Sequence, residues 1–291
     1  MGDQEFGSSW TSDKLRVLRE YLSAYLHILR GPKAKGFYRL TYLDAFAGTG
    51  NIAIGKRDPR GQDRLIDVGD EETLIAGSAR VALEQEMSFD EYVFIEQSSA
   101  KVARLESLKN EYPERADKIR VVREDANSFL QSWSKTVSRQ TRAVVFIDPF
   151  GMQLSWETMV SLAETGCCDV WILFPLSAVN RVLTEKGKLP DQWASRLDVF
   201  FGTKEWRKAF YKEREVETLF GTEIETIRQA DFSAISEYFA DRLNGIFAAT
   251  IREPRVLRNS RGTPLFLLSF ATANPKSVKV AIRVAQYLAE K

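Results

Sequence analysis

The chain has 291 residues, of which 44% are hydrophobic, and its formal net charge at pH 7 is +1. This length suits one large domain with a modest elaboration, and the near-zero charge argues against a globally basic nucleic-acid coat while allowing local basic patches. Only two cysteines (Cys167 and Cys168) and one histidine (His27) are present, which argues against a disulfide framework, a histidine-based zinc site and a Ser-His-Asp triad. With no secretory signal and no apolar run near the roughly 20 residues of a membrane span, we expect a reduced, cytoplasmic protein.

Residues 1–38 are predicted to form an N-terminal helical extension. Thr11 or Ser12 can cap a helix in which leucines recur at helical spacing as far as Gly31-Pro32. From residue 39 to 291, short apolar strands alternate with helices, a pattern that predicts a parallel sheet with right-handed crossovers. The strands are expected at 39–44, 91–96, 119–123, 143–148 and 169–174, with helices starting at Gly77-Ser78, Ser99, Asn127 and Ser155.

Two insertions are expected in this domain. Residues 51–76 are charged and contain several glycines, and residues 176–230 read as helical, with helices at about 176–183, 190–200 and 204–218. Later, a helix at 232–248 precedes strands at 249–257 and 264–271, which the turn Asn259-Ser260-Arg261-Gly262 should join as an antiparallel hairpin. A helix at 275–290 closes the chain. The predicted fold is α/β and Rossmann-like, with a mostly parallel seven-stranded sheet and a late antiparallel hairpin.

The first strand ends in Asp44 and turns through Phe46, Gly48 and Gly50. Glycine has no Cβ, so a ligand can approach the backbone closely in such a turn. The third glycine of the dinucleotide-binding G-x-G-x-x-G pattern is absent. An Asp four residues before the first glycine instead resembles the S-adenosylmethionine (SAM) methyltransferases, in which an acid helps hold the cationic amino-acid end of SAM.

Acidic residues also end the next three strands. Glu96 could accept both ribose hydroxyls, and Asp125, followed by Ala126, could accept from the adenine amino group. Asp148 ends the fourth strand. Ligands of open α/β sheets bind beyond the carboxyl ends of the strands, so these acids predict one cofactor site. The alternative for each is a helix cap, since acids commonly precede helices.

The loop Asp148-Pro149-Phe150-Gly151 is the predicted reaction centre. It resembles the Asp/Asn-Pro-Pro-aromatic loop of methyltransferases that act on base amino groups, with Phe150 and Gly151 as departures, and the Asp-Pro-Phe-Gly loop of tRNA guanine-N2 methyltransferases. That resemblance implies that Asp148 accepts a hydrogen bond from the acceptor amine. Phe150 would stack on a flipped base. The alternative for Phe150 is a core residue beneath the cofactor.

More narrowly, the chain resembles the bacterial three-Cys-motif partner proteins. The resemblance covers nearly the whole chain and rests on Trp10-Thr11-x-x-Lys14-Leu15, Asp44-Ala45-Phe46-Ala47-Gly48, Gly77-Ser78, Phe146-Ile147-Asp148-Pro149-Phe150-Gly151 and Phe270-Ala271-Thr272-x-Asn274-Pro275. It implies a companion protein with a three-cysteine, iron–sulfur motif. This chain, with two cysteines, is not that companion.

Basic residues cluster locally, in places interleaved with aromatic residues, as in nucleic-acid-binding surfaces. The clusters are Lys33, Lys35 and Arg39; Lys56, Arg57, Arg60 and Arg64; Arg252, Arg255, Arg258 and Arg261; and Lys204, Trp206, Arg207, Lys208, Phe210 and Tyr211. The alternative for each cluster is a solvated face, which is the commoner role of such clusters. The leading hypothesis is a SAM-dependent methyltransferase acting on an amino group of an RNA or DNA base. The alternative is an adaptor that keeps the fold and mainly binds its iron–sulfur companion.

Overall fold

Strands and helices alternate along the chain in a computed structural model, which describes residues 9–31, 38–48, 77–218 and 221–291. The strands are β1 (Arg39–Ala45), β2 (Glu91–Ile95), β3 (Ile119–Val122), β4 (Thr141–Ile147), β5 (Cys168–Phe174), β6 (Tyr211–Thr218), β7 (Gly221–Arg228), β8 (Ala249–Thr250), β9 (Arg255–Arg258) and β10 (Pro264–Thr272). The helices are α1 (Ser9–Arg30), α2 (Gly77–Leu83), α3 (Ser99–Glu111), α4 (Ala126–Thr136), α5 (Trp156–Glu164), α6 (Leu176–Val182), α7 (Asp191–Phe201), α8 (Trp206–Phe210), α9 (Phe232–Asn244) and α10 (Val278–Glu290). A 3₁₀ helix, Pro113–Lys118, precedes β3. The insertion expected at 51–76 lies outside the described residues.

The central sheet has the order β3-β2-β1-β4-β5-β10-β8, with β9 also paired to β10. Strands β1 to β5 are parallel, and β10 runs antiparallel to β5, which confirms the predicted Rossmann-like α/β fold with its late antiparallel hairpin. The strand expected at 249–257 is divided into β8 and β9. Pro254, which has no N–H to donate, lies between the two pieces.

Both faces of the sheet are covered. Alternate residues of a strand point to opposite faces, so Tyr42 joins one hydrophobic cluster and Leu43 the other. Helix α1 packs on the Tyr42 face through Val17, Leu18 and Leu22, all at most 1% exposed. The helices of the 176–244 region pack on the opposite face.

The prediction of a helix at 204–218 was wrong beyond residue 210. After the short helix α8, β6 and β7 form a separate two-stranded antiparallel sheet. The charged sequence of β6 resembles a solvated helix. Its partner strand decides the conformation, because Val216 and Thr218 lie in register with residues of β7.

Cys167 and Cys168, at the start of β5, are buried free thiols. Within the described ranges, no helix has both the length and the apolar content that a bilayer crossing requires.

Candidate functional site

Two acids from neighbouring parallel strands meet at the carboxyl edge of the sheet. Asp44 is the penultimate residue of β1, and Asp148 directly follows β4. Ala45 and Ile147, the last residues of the two strands, are register partners. The Asp44 side chain is fully buried, whereas that of Asp148 is 17% exposed. The pairing of β1 with β4 therefore brings the two carboxylates to the same edge of the sheet.

Burial raises the pKa of Asp44 to about 7. The charge of Asp148 raises it further, while hydrogen bonds from Ser78 and Tyr42 and the charge of Lys14 oppose the shift. The Tyr42 hydroxyl lies 3.4 Å from Oδ2 of Asp44, and Oδ1 is buried without a hydrogen-bond partner. A buried carboxylate oxygen with no donor suits an incoming cationic N–H group.

Lys14 completes this part of the site, and sequence reasoning assigned it no role. Its ammonium group forms an ion pair with Oδ2 of Asp148, with only 7% of the lysine side chain exposed. The ammonium also lies 5.1 Å from the ring centroid of Trp10. The available signal was positional: Lys14 stands three and four residues before Val17 and Leu18, on the buried stripe of α1. A cation on that stripe requires a buried partner.

The turn after β1 is drawn tightly against the end of β2. Phe46 has φ of 78°, a value few non-glycine residues adopt, and the Ala47 N–H donates to the Ile95 carbonyl at 3.0 Å. A Cβ added to Gly48 would lie 2.6 Å from Oε2 of Glu96. It would also lie 2.9 Å from Cβ of Lys101, so a side chain at position 48 would have to displace Glu96 and Lys101. Gly50 lies outside the described residues.

Glu96 and Asp125 follow β2 and β3 as expected, and each already has partners. Oε1 of Glu96 accepts from the Ser98 N–H at 2.7 Å. Asp125 caps α4 by accepting from the Ser128 N–H at 3.0 Å, and its other oxygen accepts from Gln97 at 3.2 Å. Asp125 is therefore a helix cap in this structure, which was the alternative interpretation of this residue. Its contact with adenine stays a prediction. Ala126 is buried as the first residue of α4.

The Asp148-Pro149-Phe150-Gly151 loop turns out of β4 at this edge. Pro149 is buried and Phe150 half-buried. Phe150 belongs to neither hydrophobic cluster of the described residues, in contrast to Phe46, which packs against one of them. This disfavours the alternative of a core residue. Gly151 has φ of 61°, in the left-handed region.

The residues of the predicted basic clusters lie in different environments, and some lie outside the described residues. Trp206 and Phe210 are at most 1% exposed, so the 204–211 aromatics are core residues and offer no stacking platform. Arg39 pairs with Glu91, and Arg255 with Asp13. Lys33, Lys35 and residues 56–64 lie outside the described residues. Within the described part of the chain, no group of three or more His, Cys, Asp or Glu residues could hold a metal ion.

No family model matches the chain, and no curated protein matches it. Solved structures with a related chain path include protein LPL1258 of Legionella pneumophila (14% identity, 82% of this chain and 93% of that one, TM-score 0.40). Others are the glycopeptide N-methyltransferase MtfA with S-adenosylhomocysteine (11% identity, 88% and 89%, TM-score 0.35) and the O-methyltransferase TomG of Streptomyces achromogenes with SAM (12% identity, 77% and 91%, TM-score 0.35). These likenesses concern chain path, so the function is argued from the residues of the site.

Proposed function

We propose that this protein is a SAM-dependent methyltransferase acting on an exocyclic amino group of a nucleic-acid base. One observation carries the proposal: Asp44, buried at the carboxyl end of β1 with an unpartnered oxygen, lies within electrostatic reach of Asp148 at the end of β4. Burial of a carboxylate oxygen without a partner is unfavourable, so its place at the ligand-binding edge of the sheet favours a binding role over a purely structural one.

The residues present fit SAM. The free oxygen of Asp44 suits the cationic amino group, and the turn at Phe46 and Gly48 brings Glu96 to a position from which it could accept from ribose hydroxyls. Asp125 and Ala126 would adjoin the adenine. When bound, SAM would supply an electrophilic methyl group on its sulfonium.

Asp148 would orient the acceptor. Its Oδ2 is held by Lys14, which leaves Oδ1 to accept an N–H of the acceptor amine, and a main-chain carbonyl of the loop could accept the second N–H. This directs the nitrogen lone pair toward the methyl group. With the methyl group supplied by SAM, Asp148 would accept the proton that the acceptor nitrogen loses on methylation. Phe150 would stack on the base.

A second candidate function is a partner protein that binds a three-cysteine, iron–sulfur companion without catalysis. Asp125 favours it, since both carboxylate oxygens of that residue are engaged within the protein. The Phe150-Gly151 departure from the usual loop points the same way.

Methyl transfer from tritiated SAM to total RNA and DNA, measured beside calorimetric SAM binding, separates these functions. Asp148→Ala should lower transfer by roughly 100-fold or more and leave SAM affinity nearly unchanged, because it removes an interaction made with the acceptor. Asp117→Ala, an exposed acid on the 3₁₀ helix, is the control and should change neither. Circular dichroism checks that each variant is folded.

Failure of the folded wild type to bind SAM would contradict the assignment. SAM binding without transfer to any nucleic acid, with or without the companion, would favour the partner function. A fall in SAM affinity equal to the fall in activity would make Asp148 a cofactor ligand.

A further inference from the structure

A basic groove lies far along the chain from the residues discussed so far, between α10 and the segment that follows β8. Its volume is about 530 Å³. The residues that line it include Arg252, Lys279, Arg283, Gln286, Tyr287 and Glu290. Three cations therefore face one acid across an open surface.

The positive charges of the groove are not neutralised by the carboxylates that the structure describes. Lys279, Arg283 and Arg252 are exposed, and none forms an ion pair with a carboxylate in the described part of the chain. The carboxylate of Glu290 accepts a hydrogen bond at 2.9 Å from Gln286, which also lines the groove. The Oε1 atom of Gln286 in turn accepts from the Arg252 N–H at 3.0 Å, which ties the two walls together. The groove is thus held open and positive.

Tyr287 adds an aromatic surface to this charge. It is 61% exposed, and it follows Lys279 and Arg283 at intervals of eight and four residues on one face of α10. The opposite face of the helix is anchored in the core by Ala285 and Leu288. A line of cations ending in an exposed ring is the combination that proteins use to bind single-stranded nucleic acid.

A chain of contacts links one end of the groove to the candidate site. Arg255 donates to the carbonyl of Ala289, two residues after Tyr287, and to Asp13 on α1, both at 3.1 Å. Asp13 precedes Lys14, whose ammonium group binds Asp148. The Tyr287 end of the groove is therefore linked to the Asp148 carboxylate through three contacts, Ala289–Arg255, Arg255–Asp13 and Lys14–Asp148.

We infer that this groove binds a single-stranded nucleic acid, with Arg252, Lys279 and Arg283 on its phosphates and Tyr287 stacked on an unpaired base. The inference rests on the proposed function only in that the strand would carry the acceptor base. A single strand fits better than a duplex, because stacking on Tyr287 requires a base that is free of its own pair. An acidic protein would use the cations and have no need of the exposed ring.

Fluorescence anisotropy with a short labelled oligouridine tests the groove without SAM. Uracil has no exocyclic amino group, so this probe reports binding apart from methyl transfer. Arg283→Glu should weaken binding roughly tenfold at about 50 mM salt and lower the slope of log affinity against log salt by about 0.7. Arg104→Glu, an equal change at an exposed and unpaired site on α3, should leave the affinity within about twofold.

A second pair of variants tests the ring. Tyr287→Ala should weaken oligouridine binding by roughly 5- to 150-fold, whereas Tyr287→Phe should retain it, because stacking needs the ring and not the hydroxyl. Heparin, a polyanion without bases, should respond to Arg283→Glu and not to Tyr287→Ala. Both variants are exposed substitutions that should fold normally.

Several results would overturn the inference. These are no oligouridine binding by the wild type at about 50 mM salt, equal losses from Arg283→Glu and Arg104→Glu, or no loss from Tyr287→Ala together with equally tight duplex binding. Polyglutamate binding in place of oligouridine would point instead to an acidic protein. Oligouridine binding through the groove, with no methyl transfer to any nucleic acid, would overturn the proposed function alone.

Discussion

At the residue scale, the raised pKa of Asp44 predicts that ligand affinity at the proposed site depends on pH. Because its pKa is about 7, the carboxyl is mainly protonated below about pH 6 and mainly ionised above about pH 8. Only the ionised form attracts the cationic amino group of S-adenosylhomocysteine. We expect affinity for this product to rise as pH increases through 7, approaching tenfold per pH unit on the acidic side, when measured by calorimetry.

The control ligand is 5′-methylthioadenosine, which lacks the amino-acid end of S-adenosylhomocysteine. Its affinity should vary little over the same pH range. Asp44→Asn should bind S-adenosylhomocysteine weakly and lose the pH dependence. If the wild type binds it equally well at pH 6 and pH 8, Asp44 does not hold the amino group.

Lys14 and Asp148 join the element α1 to the end of β4. Removing one partner of a buried ion pair leaves the other charge uncompensated, at a cost of about 3 kcal/mol or more. Lys14→Met should therefore destabilise the protein by about that amount in urea unfolding, and the added change Asp148→Asn should restore much of the loss. Strictly additive effects of the two substitutions would show that the pair is not coupled.

The same substitution, glycine to alanine, should affect stability differently at two glycines that follow helices. Gly202, after α7, and Gly166, after α5, have φ of 65° and 62°, so alanine at either costs about 1–2 kcal/mol of backbone strain. A Cβ at Gly166 would meet nothing within 4 Å, whereas one at Gly202 would lie 2.3 Å from Cδ1 of buried Trp156. Gly202→Ala should thus cost about 1–3 kcal/mol more than Gly166→Ala in urea unfolding. Equal costs would mean that Trp156 can move aside freely.

At the scale of the whole molecule, Asp169 should influence stability as a function of pH. It lies at the sheet edge opposite the candidate site, where it accepts from the Tyr21 hydroxyl of α1 at 2.7 Å. Burial raises its pKa to about 6, while hydrogen bonds from Thr272 and Tyr21 and the charge of Arg142 oppose the shift. A raised carboxyl pKa favours the folded state below the unfolded pKa near 4, and this contribution is lost as pH rises to about 6.

Asp169→Asn removes that titration while keeping a side-chain oxygen for Tyr21. The free energy of unfolding of the wild type, relative to that of Asp169→Asn, should fall by up to about 3 kcal/mol between pH 4 and pH 7. The comparison with the variant cancels the carboxyls that titrate in both proteins. A difference that stays constant across this range would contradict the assignment.

The sequence alone determined the parallel strands, their order of appearance and the acids at their ends. Apolar runs such as Tyr92–Ile95 can only be buried strands, and residues such as Asp44 and Asp148 that follow parallel strands must share one edge. The Ser155 cap of α5 and the turn at Asn259–Gly262 could also be predicted from the neighbouring residues alone. These features depend on neighbours along the chain or on a single repeating pattern.

The tertiary structure alone decided which distant residues complete the site and the groove. Lys14 reaches Asp148 across 134 positions of sequence, and Arg252 lines a groove with Tyr287 only because α10 packs beside the segment after β8. Likewise, the charged residues of β6 form a strand because β7 pairs with them. Long-range pairing of this kind leaves no periodic trace along the chain, since its energy comes from contacts made only after folding.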